Sequence, residues 1–209
     1  VRSGDRVRIL DDRIWVGNHL VFHIGAAVRW SPDPFPTGWT EENLIAGLNA
    51  ASKVCERIAP EEGLARFIQA PRPTFDPYSV CAHAASPIDT LSRWLLNLDL
   101  DPDWPAQLLG LGPGLTPSGD DFIAGMMIAF HGIGEIVKTE LIWQATTAQA
   151  GISTNPISYA HLQSASTGYG SAALHNAIAM IVSGRTVEIQ SAIIRVAAIG
   201  HTSGWDALA

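Results

Sequence analysis

The chain is short of the residues that mark several protein classes. Two cysteines, Cys55 and Cys81, in 209 residues are too few for a disulfide framework, and both read as reduced, structural and intracellular. No C-x-x-C pair or His-rich spacing suggests zinc. The longest strongly apolar run, Phe122 to Gly134, falls well short of the roughly 20 residues a bilayer span needs. Basic residues are scarce as well. Thirteen Lys and Arg against 20 Asp and Glu leave a net charge of −7, with no basic cluster to neutralise nucleic-acid phosphates. These absences point away from membrane and nucleic acid and toward an acidic cytoplasmic protein. A hydrophobic share of 47% excludes disorder as the main state.

Charge is also unevenly placed. Residues 1–100 carry 10 basic and 12 acidic side chains, whereas residues 101–209 carry 3 and 8. So sparse a second half is expected to be largely buried or docked to a partner.

What is present divides into a β segment and a helical remainder. Arg6–Leu10, Arg13–Val16 and His19–Ile24 alternate with turn signals at Asp11-Asp12 and Gly17-Asn18, predicting a three-strand meander, part of a small sheet or barrel. Three prolines between Ser31 and Gly38 read as a linker, so the expected domains are 1–38 and 39–209. Thr40 is suited to cap a helix bearing Leu44, Leu48, Ala51, Cys55 and Ile58 on one face. Further helices are expected over Pro60–Gln69, broken by Pro71–Asp76, and from Ser86-Pro87 through Leu98. Phe122 to about Val137 is apolar all round and reads as a central buried helix containing His131. Ser158–Ser166, Ser171–Ser183 and Thr186–Ile199 complete the helical set, the last two ended by Gly184 and Gly200. The predicted class is α+β: a small antiparallel β unit followed by a predominantly α-helical domain.

The most unusual stretch is Gly110-Leu-Gly-Pro-Gly-Leu-Thr-Pro-Ser118, followed by Gly119-Asp120-Asp121. Its glycines allow backbone amides to turn toward one point, and a helix behind them adds partial positive charge, which suits a phosphate or carboxylate. It lacks the lysine and spacing of a P-loop, and its glycine spacing does not fit the dinucleotide fingerprint. A plain turn with a good cap explains the same residues. The capping reading places Ser118 at the N-cap and Asp121 on the cap amides, leaving Asp120 as the freer carboxylate. An anion beside two carboxylates would need Mg²⁺, a lysine from elsewhere or a shared proton.

A short echo follows. Ser118-Gly-Asp-Asp-Phe-Ile-Ala124 and Ser203-Gly-Trp-Asp-Ala-Leu-Ala209 share four identities. They read as a duplicated helical unit or as two halves of one site, and capping chemistry alone could also produce them. His201, just after a predicted helix end, and Asp206 make this the second candidate site. A Ser-His-Asp triad finds no G-x-S-x-G elbow to support it.

At these two loops the chain resembles a known family. Leu109-Gly-Leu-Gly-Pro-Gly-Leu-Thr-Pro-Ser-Gly-Asp-Asp-Phe-Ile-Ala-Gly125 is similar to the signature of the AllH-like subunit of oxamate carbamoyltransferase, a family long of unknown function. Thr154-Asn-Pro-Ile-Ser158, the Ala165/Gly168 helix and Ile199-Gly-His-Thr-Ser-Gly-Trp-Asp206 match in order and spacing. The resemblance implies a subunit of an enzyme that moves a carbamoyl group between oxalurate and phosphate, giving oxamate and carbamoyl phosphate in allantoin breakdown. It also implies partner subunits, and relatives acting on other small substrates. On this reading Asp120 and His201 are the expected catalytic residues. Gly112, Gly114, Thr116, Ser118, Gly119, Asp121, Ser203 and Asp206 are expected to bind a small anionic substrate or phosphate, with Mg²⁺ as the one cofactor to consider. A non-catalytic anion-binding or assembly subunit is the competing expectation. Because the chain starts without Met and stops just past Ser203, the native protein is expected to continue beyond both ends.

Overall fold

Alternating side chains and two tight turns fold the first segment into an antiparallel sheet. In the computed structural model, which describes residues 2, 4–69, 74–96 and 104–209, strands β1 (Val7–Leu10), β2 (Arg13–Val16) and β3 (Leu20–His23) pair in the order β1-β2-β3. The register sets Val7 opposite Val16, Ile9 opposite Ile14, Ile14 opposite Phe22 and Val16 opposite Leu20. Those six apolar side chains therefore share one face. Asp11 turns the first hairpin with φ 50°. This sheet belongs to a unit spanning Val1–Ser31, and Pro32–Ala209 forms a second unit.

The second unit is helical. Thr40 Oγ1 accepts from the Asn43 amide and starts α1 (Glu41–Ile58). Its buried stripe is Gly47, Ala51, Val54 and Cys55, while Leu48 and Ile58 are exposed. The apolar stripe read from sequence is thus rotated, because small Gly47 lets α1 approach a neighbour that Leu48 would hold off. An added Cβ at Gly47 would lie 1.9 Å from the Ile181 carbonyl oxygen.

Two sequence expectations fail between α1 and the glycine loop. The short helix expected over Pro60–Gln69 is a single 3₁₀ turn, Ala65–Ile68, and part of the Pro71–Asp76 break lies outside the described residues. Ser86-Pro87 does not start a helix but lies inside α2 (Val80–Leu96). Packing of Cys81, Ala84, Ile88, Leu91 and Trp94 outweighs an interior proline, which costs about 3 kcal/mol in an isolated helix. The short helix α3 (Trp104–Leu108) follows, with Trp94 and Trp104 rings 5.7 Å apart.

The central helix is shorter than expected. α4 runs Ser118–Gly132 and ends at Gly134, whose φ of 87° turns the chain so that Glu135 N reaches Phe130 O at 2.9 Å. A separate helix, α5 (Ile136–Ser153), was not legible in the apolar pattern. Its buried stripe is Thr139, Ile142, Thr146 and Ala150, in which two threonines break the hydrophobic signal. α6 (Pro156–Ser166) is capped by Asn155, and α7 (Ala172–Val182) by Ser171. α8 (Thr186–Ala197) buries Ile189, Ala192, Ile193 and Val196, and α9 (Ser203–Leu208) follows Gly200 at φ 62°. α4 packs against α5, α6, α7 and α9, which makes it the central helix of the unit. No helix among the described residues is long and apolar enough to cross a membrane. An α+β fold, sheet first and helices after, is what the chain adopts.

Candidate functional site

The glycine loop and the chain's last helix meet because two helices cross at a glycine. A Cβ at Gly125 of α4 would lie 1.8 Å from the Ala207 carbonyl oxygen of α9, so this crossing needs the bare backbone. The same device recurs at each helix start. A Cβ on Gly119 would lie 2.0 Å from Leu108 O, and one on Gly204 would lie 1.9 Å from Val196 O. The echoed Ser-Gly pairs are therefore two equivalent close approaches of a helix start to the preceding helix. They bring Thr116 Oγ1 within 3.0 Å of Ser203 Oγ.

Beside this contact opens a cleft of about 530 Å³, lined from α4, α6, α7, α8 and α9. That volume suits a small ligand. Its polar lining includes Thr116, Asp121, Ser203, His161, Ser164, Tyr169 and Ser171. Asp121 is the carboxylate among them. Burial raises its pKa to about 7; the Ser203 and Thr116 hydroxyls oppose that shift, and the charges of Asp206 and Asp120 add to it. Asp121 Oδ2 is buried without a hydrogen-bond partner among the described residues.

The two adjacent aspartates have the reverse of their expected surroundings. Asp120, expected to be the freer, is 1% exposed and fully engaged. Its Oδ1 accepts from Gly110 N at 2.8 Å, and its Oδ2 accepts from Ser158 Oγ at 2.5 Å and from the Thr154 hydroxyl. Asp120 thus ties the glycine loop to the α5–α6 junction, which accounts for the Thr154–Ser158 motif. The reason lies in the frame of α4. Pro117, not Ser118, occupies the N-cap, so Asp121 sits one position deeper than a capping carboxylate. Asp121 N donates to Pro117 O, and its side chain turns to the cleft. Thr202 likewise replaces Ser203 at the N-cap of α9.

Asp206 is a second buried carboxyl, 0% exposed. Its Oδ1 accepts from Leu64 N at 2.6 Å, and the Ser118 and Thr202 hydroxyls stand beside it. Burial raises its pKa too, against those hydrogen bonds. It holds the segment before the 3₁₀ turn, where Gly63 at φ 73° leaves room for the carboxylate.

The remaining expected residues scatter. His201 lies outside the cleft, its Nε2 2.7 Å from Glu62 Oε2 with both side chains well exposed. Gly112 and Gly114 turn the loop at φ 109° and 99° but do not line the cleft. Three amides of this stretch are engaged within the protein: Gly110 N reaches Asp120 Oδ1, Leu111 N reaches Leu108 O, and Gly119 N reaches Leu111 O. His131 is half-buried against Gly168, and the deeply buried histidine is His175, near Phe35 with ring centroids 5.6 Å apart. Among the described residues no group of three or more His, Cys, Asp or Glu is placed to hold a metal ion. Sequence reasoning missed His161, Ser164, Tyr169 and Ser171. Gly168 and Gly170, flanking Tyr169 at the α6–α7 turn, were the available signal.

A family comparison matches this region. Residues 108–209 match the family of oxamate carbamoyltransferase subunit AllH. The match begins just before the glycine loop and runs through α9, so it takes in every side chain that lines the cleft. AllH similarity read from the Leu109–Gly125 string therefore extends over the whole C-terminal half. No solved structure matches the chain.

Proposed function

We propose that this chain is a subunit of a carbamoyltransferase of the oxalurate/oxamate type and that the Asp121 cleft is its substrate site. The observation that carries this reading is the 3.0 Å Thr116–Ser203 contact, which joins both echoed loops at the cleft beside Asp121. Carbamoyl transfer requires proton movement at the amide nitrogen and at the attacking group. A carboxyl near pKa 7 holds or releases a proton at neutral pH, which is the poise general acid–base work needs. Asp121 thus takes the role that the sequence suggested for Asp120, while Asp120 holds the loop. Thr116 and Ser203 orient the bound amide through their hydroxyls.

The test is carbamoyl phosphate formation from oxalurate and phosphate, measured with the chain alone and with its partner subunits. In whichever assembly is active, Asp121→Asn is expected to lower turnover by about a hundredfold, in the range of general acid–base catalysis. Wild-type turnover in Asp121→Asn would overturn the reading.

A second reading, an assembly subunit without catalysis, is favoured by a different feature. An apolar groove of about 310 Å³ is lined by Leu44, Leu48, Phe122, Met126, Ile178 and Leu208, among others. Activity that needs partners and survives Asp121→Asn would support it.

A further inference from the structure

The cleft is furnished with groups that both give and take hydrogen bonds, and among the described residues no Lys or Arg lines it. Of the three basic side chains in residues 101–209, Lys138 pairs with Glu135 at 3.2 Å and Arg185 with Glu188 at 2.5 Å. Arg195 is exposed on α8, and none of the three lines the cleft. Several of the amide donors at the helix starts are also engaged. On α4, Asp120 N and Asp121 N both reach Pro117 O; on α9, Gly204 N reaches Ile199 O and Asp206 N reaches Thr202 O. At the start of α7 the Leu174 amide is taken by Ser171 Oγ.

What remains is the Thr116, Ser203, Ser171 and Tyr169 hydroxyls, the exposed His161 ring and the Asp121 carboxyl, whose Oδ2 has no protein partner among the described residues; the Ser164 hydroxyl already donates to Ala160 O. A phosphate dianion here would lie beside the Asp121 carboxyl with no Lys or Arg in the described lining to offset its charge, and desolvating it would be costly. An uncharged –CO–NH₂ group instead offers an acceptor oxygen to the hydroxyls and N–H donors to the carboxyl oxygen. Resting on the reading of the cleft as the substrate site, we propose that it receives the uncharged carbamoyl end of the substrate and not an anionic end. The anionic end then points out of the cleft, away from Asp121.

The experiment titrates the full chain, labelled for amide NMR, with methylurea as a neutral carbamoyl probe and separately with inorganic phosphate. Methylurea is expected to shift the amides of Thr116, Asp121, Ser203 and Gly204 at concentrations at least about tenfold below any phosphate response. Phosphate moving those amides at equal or lower concentration would overturn the inference while leaving the cleft as substrate site. If neither probe moves them, the cleft reading itself fails, and the inference with it. Asp121→Leu, with an otherwise unchanged spectrum, is expected to lose the methylurea response, and Ser203→Ala to weaken it severalfold. An undiminished response in both variants would also overturn the proposal.

Discussion

The Thr116 and Ser203 hydroxyls are 3.0 Å apart although 87 positions separate them in the chain. A side-chain hydrogen bond of this kind contributes about 0.5–1.5 kcal/mol net. A double-mutant cycle with Thr116→Ala and Ser203→Ala is expected to show coupling of that size in urea unfolding. Strict additivity of the two single changes would mean the loops do not hold each other.

Asp120 and Asp121 should separate cleanly in stability measurements. Replacing Asp120 with Ala leaves the Gly110 amide and the Thr154 and Ser158 hydroxyls without their acceptor. Unpaired buried donors of this kind cost about 1–3 kcal/mol each, so a loss of roughly 2–4 kcal/mol is expected after relaxation. Asp121→Asn is expected to cost far less. Urea midpoints that rank them in the opposite order would show that Asp121, not Asp120, holds the loop.

The raised pKa of Asp121 carries a definite sign. The folded chain keeps a proton up to about pH 7 that an ordinary aspartate releases near 3.8. Between those values the folded state binds more protons than the unfolded state, so this contribution to stability is fully present below the ordinary value and lost as pH rises through 7. Asp206, also raised by burial, acts in the same direction. Denaturation midpoints are therefore expected to fall from pH 5 to pH 8. In Asp121→Asn the fall should be shallower, with the share due to Asp206 remaining. An unchanged slope would refute the assignment.

Gly125 is the position where the cleft is most easily broken. Its Cβ site lies 1.8 Å from Ala207 O, a backbone atom, so Gly125→Ala must push α9 off α4. Overpacking typically costs about 1–3 kcal/mol, and backbone on backbone falls at or above the upper end. Loss of Asp121's elevated titration in the variant, followed by carboxyl NMR, would show the cleft opening. A variant with wild-type melting and titration would mean the helices do not cross there.

Cys55 is buried, and its thiol is pushed up to about 12, chiefly by burial. Cys81 is also buried, its Sγ donating to Gly63 O at 2.9 Å, and both cysteines are thiols not joined in a disulfide. Neither is expected to react with a thiol reagent at neutral pH until the chain unfolds. Rapid labelling of Cys55 in the native protein would contradict its burial.

Much of this protein was legible from local chemistry alone. Strand alternation fixed the sheet, Thr40, Gly184 and Gly200 punctuated helices where the structure has them, and the glycine-proline-aspartate string marked the cleft region and its AllH resemblance. These features depend on neighbours a few residues away, and that is the range over which a side chain's conformational preferences act. Other features depended on contacts across the chain. Whether Ser86-Pro87 begins a helix or sits inside one was settled by what α2 packs against, and α5 emerged because Thr139 and Thr146 find buried places despite their hydroxyls. The division of labour between Asp120 and Asp121 turned on a shift of one residue in the start of α4, about a quarter of a helical turn, which aims one carboxylate at Thr154 and Ser158 and the other at the cleft. No local rule carries that difference, because the partners that decide it lie more than thirty positions away.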